Sequence, residues 1–261
     1  MMVLCTIPVL FSYWAKPLDC LDWSRFLNDH LAGVVAAHPS RFIALGTAPM
    51  QDIPLAIQEM ERCVNDLKMP GLQIGSNING VNLDDPRFYP FYEAAESLGC
   101  RLFVHPWEMA GSDRMKRHWG EWLVVMPAET TLAITSMIFG GIFDKYPNLK
   151  VLFAHAGGSF PFTVGRISHG WHARPDLCNT MDISDPYSYI GKFWVDGITH
   201  DSAAFRFLVE TLGEDRICYG TDYPFPLGDL QHGRFIEEMD IDRRIKEKVL
   251  HTNALDFLGR R

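Results

Sequence analysis

Short apolar runs rich in β-branched and aromatic residues recur at residues 3–6, 42–45, 71–74, 101–105, 150–154, 193–195 and 217–220, with helical patterns between them. Strand, helix, strand in succession demands a parallel sheet with helical crossovers, because parallel neighbours cannot be joined by a tight turn. A closed barrel and an open doubly wound sheet both satisfy that demand. Polar residues at the carboxyl ends of several different strands favour the barrel, whose mouth brings those ends together. About seven runs where a closed barrel needs eight lead to the expectation of an α/β, TIM-like barrel lacking its first strand, the absent element preceding Val3.

The helical segments carry their own punctuation. Ala56, Met60, Cys63 and Leu67 share one face, with Asp52 as N-cap and Pro54 in the first turn. Phe91, Ala94, Ala95 and Leu98 repeat the pattern after Pro90, and Gly99 supplies the stop. Further helices are predicted at 21–37, 127–143, 160–172, 203–212 and 243–251. No linker or repeat divides the 261 residues, so one domain spanning 1–261 is expected.

With 47% hydrophobic residues the chain can bury a large core, and a net charge of −8 gives no broad attraction to nucleic acid or an anionic membrane. A small anionic substrate would need a local group of arginines instead. The six cysteines are scattered without a CxxC pair, which points to reduced thiols of a cytosolic protein rather than a thiolate metal site. No apolar run approaches the ~18 residues of a membrane span, so the expected location is the cytoplasm.

Three strand ends carry candidate chemistry. His105 closes the run Leu102-Phe103-Val104 and is followed by Pro106, giving an imidazole with a rigid base and an open front, as a metal ligand needs. The competing reading is a buried histidine bonded to a nearby carbonyl. His155 precedes Ala156, Gly157 and Gly158, where small residues admit a substrate or metal; an acid/base role suits its ordinary pKa, and a plain tight turn is the alternative. Asp222 lies between Gly220-Thr221 and Tyr223-Pro224 beyond a very apolar strand, where a nearby cation would offset the cost of burying it; an Asx-turn aspartate is the alternative. Arg166, on a helical stretch, has the planar fork that grips a carboxylate, although most helical arginines are solvated. Trp122 ends a lid-like stretch that starts at Glu108, and equally suits a core position. His169, His172, His200, His232 and His251 have no spacing that promotes them.

Longer runs carry a family resemblance: residues 8–17 around Phe11-Ser12-Tyr13-Trp14, the segment Glu59-Met60-Glu61-Arg62-Cys63, Phe103-Val104-His105-Pro106-Trp107, Met126-Pro127-Ala128-Glu129-Thr130-Thr131, residues 161–170 around Arg166, and Gly220-Thr221-Asp222-Tyr223-Pro224-Phe225-Pro226. In this order and over nearly the whole chain they resemble the aminocarboxymuconate-semialdehyde decarboxylase family of the amidohydrolase superfamily. The resemblance implies a (β/α)8 barrel of the metal-dependent hydrolase type and a non-oxidative decarboxylase of 2-amino-3-carboxymuconate 6-semialdehyde in tryptophan catabolism. It implies zinc held by an N-terminal His-x-His pair, His105 and Asp222, with His155 as acid/base, Arg166 gripping substrate across a homodimer interface, and Trp122 in the pocket. It also implies that the His-x-His pair and another substrate-binding arginine lie before Met1, so that weak metal binding and low activity are expected of this chain. Two alternatives compete: an amidohydrolase-type lactone or cyclic amide hydrolase, and a non-catalytic chain that pairs with an intact subunit.

Overall fold

The structure, a computed structural model, describes residues 1–260. Strand β1 (Met2–Leu4) pairs in parallel with β2 (Phe42–Ala44), and a lone bridge from Gly46 to Leu72 passes the order on to β3 (Gly71–Gly75). A small antiparallel hairpin, β4 (Asn77–Ile78) and β5 (Val81–Asn82), follows at once. The parallel order then continues through β6 (Arg101–His105), β7 (Val151–Phe153), β8 (Trp194–Asp196) and β9 (Ile217–Cys218). The helices are α1 (Pro17–Ala37), α2 (Ile53–Asn65), α3 (Tyr89–Leu98), α4 (Met126–Phe139), α5 (Ile142–Lys145) and α6 (Phe160–Ala173). They continue with α7 (Pro175–Cys178), α8 (Ser202–Leu212), α9 (Arg234–Glu238), α10 (Arg243–Glu247) and α11 (Asn253–Leu258).

Register and pleat decide what faces inward. Leu72, Ile74, Leu102, Val104, Val151, Phe153, Val195 and Ile217 point outward into the main core beneath the helices. The alternate positions pair across the sheet as Gln73 with Phe103, Phe103 with Leu152 and Leu152 with Trp194, forming one inner layer. The next layer towards the carboxyl ends holds Gly75 opposite His105 and Asp196 opposite Cys218. Ile43 and Leu45 share an apolar cluster with Leu152, Trp194 and Cys218. Contact between the second strand region and the last strands means that the sheet curls into a barrel. Among the described residues no ladder joins β1 to β9.

Local chemistry explains the elements that match the sequence pattern. The Asp52 carboxylate caps α2 by accepting from Leu55 N at 3.1 Å, and Gly99 ends α3 in the left-handed conformation. The fully buried Glu59 carboxylate accepts from Asn28 Nδ2 at 2.7 Å and from Arg62, tying α1 to α2.

The structure departs from expectation in three places. The helix expected over 127–143 breaks at Gly140 and Gly141, because Gly141 turns left-handed at φ +66°; Gly140 beside it packs so closely that a Cβ there would lie 2.5 Å from Asp84 Cβ. The β4–β5 hairpin turns through Asn79 and Gly80, both at positive φ, a turn signal that the strand count passed over. Helical residues Glu121–Phe139, with a wide first turn at Glu121–Val125, form a 19-residue stretch long and apolar enough to cross a membrane. Half of it is buried in the fold, and Glu129 near its centre makes three buried or half-buried hydrogen bonds, so here it serves as a core helix.

Candidate metal centre

His105, His155 and Asp222 converge at the carboxyl-end mouth of the barrel. One ligand atom from each lies within 4.8 Å of the others. His105 Nε2 stands 3.8 Å from Asp222 Oδ1, and His155 Nε2 stands 3.8 Å from Asp222 Oδ2. Three side chains at or just beyond the carboxyl ends of three different strands are thus brought to one point by the parallel topology.

Each arrives by a different local route. His105 is the last residue of β6 and its Nδ1 lies 3.0 Å from the Pro106 carbonyl, which can only accept, so Nδ1 carries the proton and Nε2 offers its lone pair to the centre. The carbonyl-bonded reading and the ligand reading of His105 are therefore compatible. His155 sits in a tight turn with φ +56°, followed by Ala156 at +55°. The glycines after it serve packing rather than ligand access: a Cβ on Gly158 would fall 1.9 Å from the Pro127 carbonyl oxygen at the start of α4. Asp222, at φ +49°, stands on the loop after β9, and Phe225 N donates to its carbonyl at 3.0 Å.

Burial and mutual charge set the proton affinities. Burial lowers His105 below the ordinary histidine value. Burial pulls His155 the same way, but facing Asp222 and Asp196 outweighs it and raises that histidine. Burial alone would raise Asp222, yet the two histidines hold it far below a free aspartate. An ionised carboxylate beside two imidazoles is a donor set for a divalent cation.

The triad opens on a cavity of about 350 Å³ whose wall also includes Cys5, Gln73 and Asp196. A separate cleft of about 640 Å³ beside α8 shares only Ile198, Tyr219 and Gly220 with it and contains none of the triad. Arg166 and Trp122 do not line the triad's cavity. Arg166 is exposed on α6. Trp122 leans on Trp107, ring centroids 6.2 Å apart, and packs beside Met109, Val125 and Met126.

Sequence reasoning missed Asp196. It is buried, accepts from the backbone N–H groups of His155 and Ala156 at 2.8 Å each, and is itself raised by burial. The signal was present, since Asp196 ends an apolar strand as His105 does, but the expected strand stopped one residue short at Val195. The Oε1 atom of Gln73 and the hydroxyl of Thr6, both buried at this cavity, have no hydrogen-bond partner.

Known proteins share both the sequence and the fold. The sequence pattern of the family described as amidohydrolase matches residues 24–260. The chain is 58% identical over 258 residues, 98% of its length and 72% of the relative's, to the 2-amino-3-carboxymuconate-6-semialdehyde decarboxylase of Dictyostelium discoideum. The crystal structure of 5-carboxyvanillate decarboxylase from Sphingomonas paucimobilis superposes with TM-score 0.89 at 29% identity, covering 98% of this chain and 78% of that one. A dihydroxybenzoic acid decarboxylase from Polaromonas, solved with bound manganese and the inhibitor 2-nitroresorcinol, has TM-score 0.81 at 26% identity over 94% and 77% of the two chains. These relatives are decarboxylases, which does not favour the hydrolase and non-catalytic readings. The barrel, the His-His-Asp cluster at its mouth and the extent of the likeness establish that the chain belongs to the amidohydrolase family and, within it, to the 2-amino-3-carboxymuconate-6-semialdehyde decarboxylases.

Proposed function

We propose that this chain is a metal-dependent, non-oxidative carboxy-lyase that removes carbon dioxide from 2-amino-3-carboxymuconate 6-semialdehyde in tryptophan catabolism. The observation that carries the reading is 58% identity across 98% of the chain to a decarboxylase of that name. The triad supplies its chemical support: two imidazole nitrogens and a carboxylate within 4.8 Å suit zinc, which commonly takes three protein ligands and keeps one position open. His105, Asp222 and, as the third donor of the set, His155 would hold it. When bound, zinc supplies a Lewis acid that polarises a substrate oxygen.

The chain's own residues account for the remaining work. Loss of carbon dioxide leaves an electron pair on carbon, and His155, buried at the cavity wall and holding its proton more tightly than an ordinary histidine, delivers that proton to the carbon. As donor and proton carrier, His155 can do only one at a time. Arg166, exposed on α6, would serve a carboxylate in the mouth of a second copy of a homodimer rather than its own. Leu123, Val124 and Leu132, exposed on the helical residues 121–139, and Phe162, exposed on α6, would form the apolar part of that interface. Trp122, packed on Trp107 outside the triad's cavity, backs the 105–110 segment rather than walling the pocket. The substrate is small and anionic, and the net charge of −8 argues against nucleic acid and membrane partners in the cytosol.

Zinc-loaded protein mixed with the semialdehyde tests the reading by the fall of the substrate's near-ultraviolet absorbance. Turnover abolished by chelator and restored by zinc is the expected result; a loaded sample with no turnover would refute it.

A further inference from the structure

Each residue of the triad stands at the end of a strand or on the loop that follows it, and each of those loops is gripped by a carboxylate that is not part of the triad. Glu129, buried on α4 in the Met126–Thr131 run, accepts from Ser76 Oγ at 3.1 Å and Asn77 Nδ2 at 2.9 Å through Oε1, and from Ala110 N at 2.9 Å through Oε2. Ser76 in turn donates its N–H to the His105 carbonyl at 3.0 Å and accepts from Trp107 N at 3.3 Å, while Asn77 donates to the Trp107 carbonyl at 2.9 Å. One carboxylate therefore spans residues 105–110. Asp196 spreads its two oxygens over the N–H groups of His155, Ala156 and Ile198, the first two at positive φ.

Asp229 closes the third loop. Its N–H donates to the Thr221 carbonyl at 2.7 Å, and its carboxylate accepts from Tyr219 Oη, Gln231 N and Gly233 N at 3.0, 2.8 and 3.0 Å. Gly228 beside it lies so close that a Cβ would meet the carbonyl oxygens of Thr221 and Asp222 at 2.4 and 2.7 Å. None of the three carboxylates forms an ion pair among the described residues. Their charge is met by backbone amides and by neutral hydroxyl and amide groups, a pattern that fixes geometry.

We propose that Glu129, Asp196 and Asp229 are positioning residues, each setting one triad loop in its ligand geometry before any cation arrives. The inference rests on the reading of the triad as a metal centre. Holding a ligand's loop in advance removes an ordering cost that binding would otherwise carry, so metal affinity reports on it.

The test uses the full chain, metal-free, as Glu129→Gln, Asp196→Asn and Asp229→Asn, each read by amide hydrogen exchange and by zinc competition against a chromogenic chelator. Exchange should speed up by roughly tenfold or more in one loop per variant, at 105–110, 155–158 or 222–229 respectively, with the strand interiors unchanged. Zinc affinity should fall by about 10–100-fold in each. Should Asp196→Asn not fold, Asp196→Ser, which keeps an oxygen acceptor, reads the same loop. Unchanged exchange in the matching loop, a uniform rise across the fold, or a loosened loop with undiminished zinc affinity would each overturn the assignment for that residue. A parent chain that takes up no zinc while the exchange pattern holds would overturn the metal-centre reading and leave the loop-positioning roles standing.

Discussion

The imidazole rings of His105 and His155 stand almost perpendicular, at 82° with centroids 4.9 Å apart, and each turns its Nε2 towards a different oxygen of Asp222. Such an arrangement directs three lone pairs at one point without any ring blocking another. Replacing His105 by Ala or Asp222 by Asn should therefore weaken zinc binding by about 100-fold or more. Equilibrium dialysis with metal analysis checks this, and activity should fall in parallel.

His155 carries two roles, and one substitution separates them. If its main work is delivering the proton, His155→Gln keeps zinc affinity within a few fold and lowers kcat by about 10²–10⁴. If it is chiefly a ligand, affinity and kcat fall together. Our expectation is that zinc affinity falls by about tenfold or more and that kcat falls further at saturating zinc, since His155 completes the three-donor set and also carries the proton, and the comparison of kcat with zinc stoichiometry decides.

The pH dependence of the metal-free fold follows from the same trio. Asp222 lies below its free value of 3.8 in spite of burial, because of His105 and His155. Its stabilisation is complete above 3.8 and is lost as pH falls through the lowered value. His155 is shifted upward from 6.5 by Asp222 and Asp196 against the pull of burial, so its stabilisation is present below 6.5 and lost as pH rises through the raised value. The parent should exceed Asp222→Asn by on the order of 1–3 kcal/mol between about pH 4 and 6.5, with the gap narrowing on both sides. Urea unfolding in chelator at three pH values measures it.

Gly158→Ala tests the packing of the His155 turn on α4. The added methyl would meet the Pro127 carbonyl oxygen at 1.9 Å, at a position with φ +62°. Destabilisation of about 3 kcal/mol or more is expected, seen as a lower Tm, because both contact and backbone angle oppose the side chain.

Arg166→Ala should leave zinc binding unchanged and depress turnover. Mixing it with Asp222→Asn, each inactive alone, should restore about a quarter of the parent's sites if subunits exchange randomly and the arginine works across a two-fold interface. No recovery in freely exchanging dimers would exclude that role.

Much of this was legible in the chain because a parallel barrel writes its site at strand ends. His105, His155 and Asp222 each follow an apolar run, and the fold brings those runs side by side. What stayed illegible depends on distance across the fold. Asp196 does its work through backbone amides 40 and 41 residues away, Glu129 through Ser76 and Asn77 some 50 residues earlier, and no local pattern records such pairings. The need for glycine at 140 has the same origin, since the obstacle to a side chain there is Asp84. Trp122 and Arg166 show the converse: their sequence context is distinctive, yet within one chain they do not line the cavity of the triad.

The grip of Asp196 and Asp229 falls mainly on main-chain N–H groups, which every residue except proline possesses. Side chains at the rim, such as the exposed Tyr223 and Phe225, can therefore be exchanged over evolutionary time without dismantling the scaffold beneath them. A mouth constructed in this way separates what shapes its rim from what holds its centre.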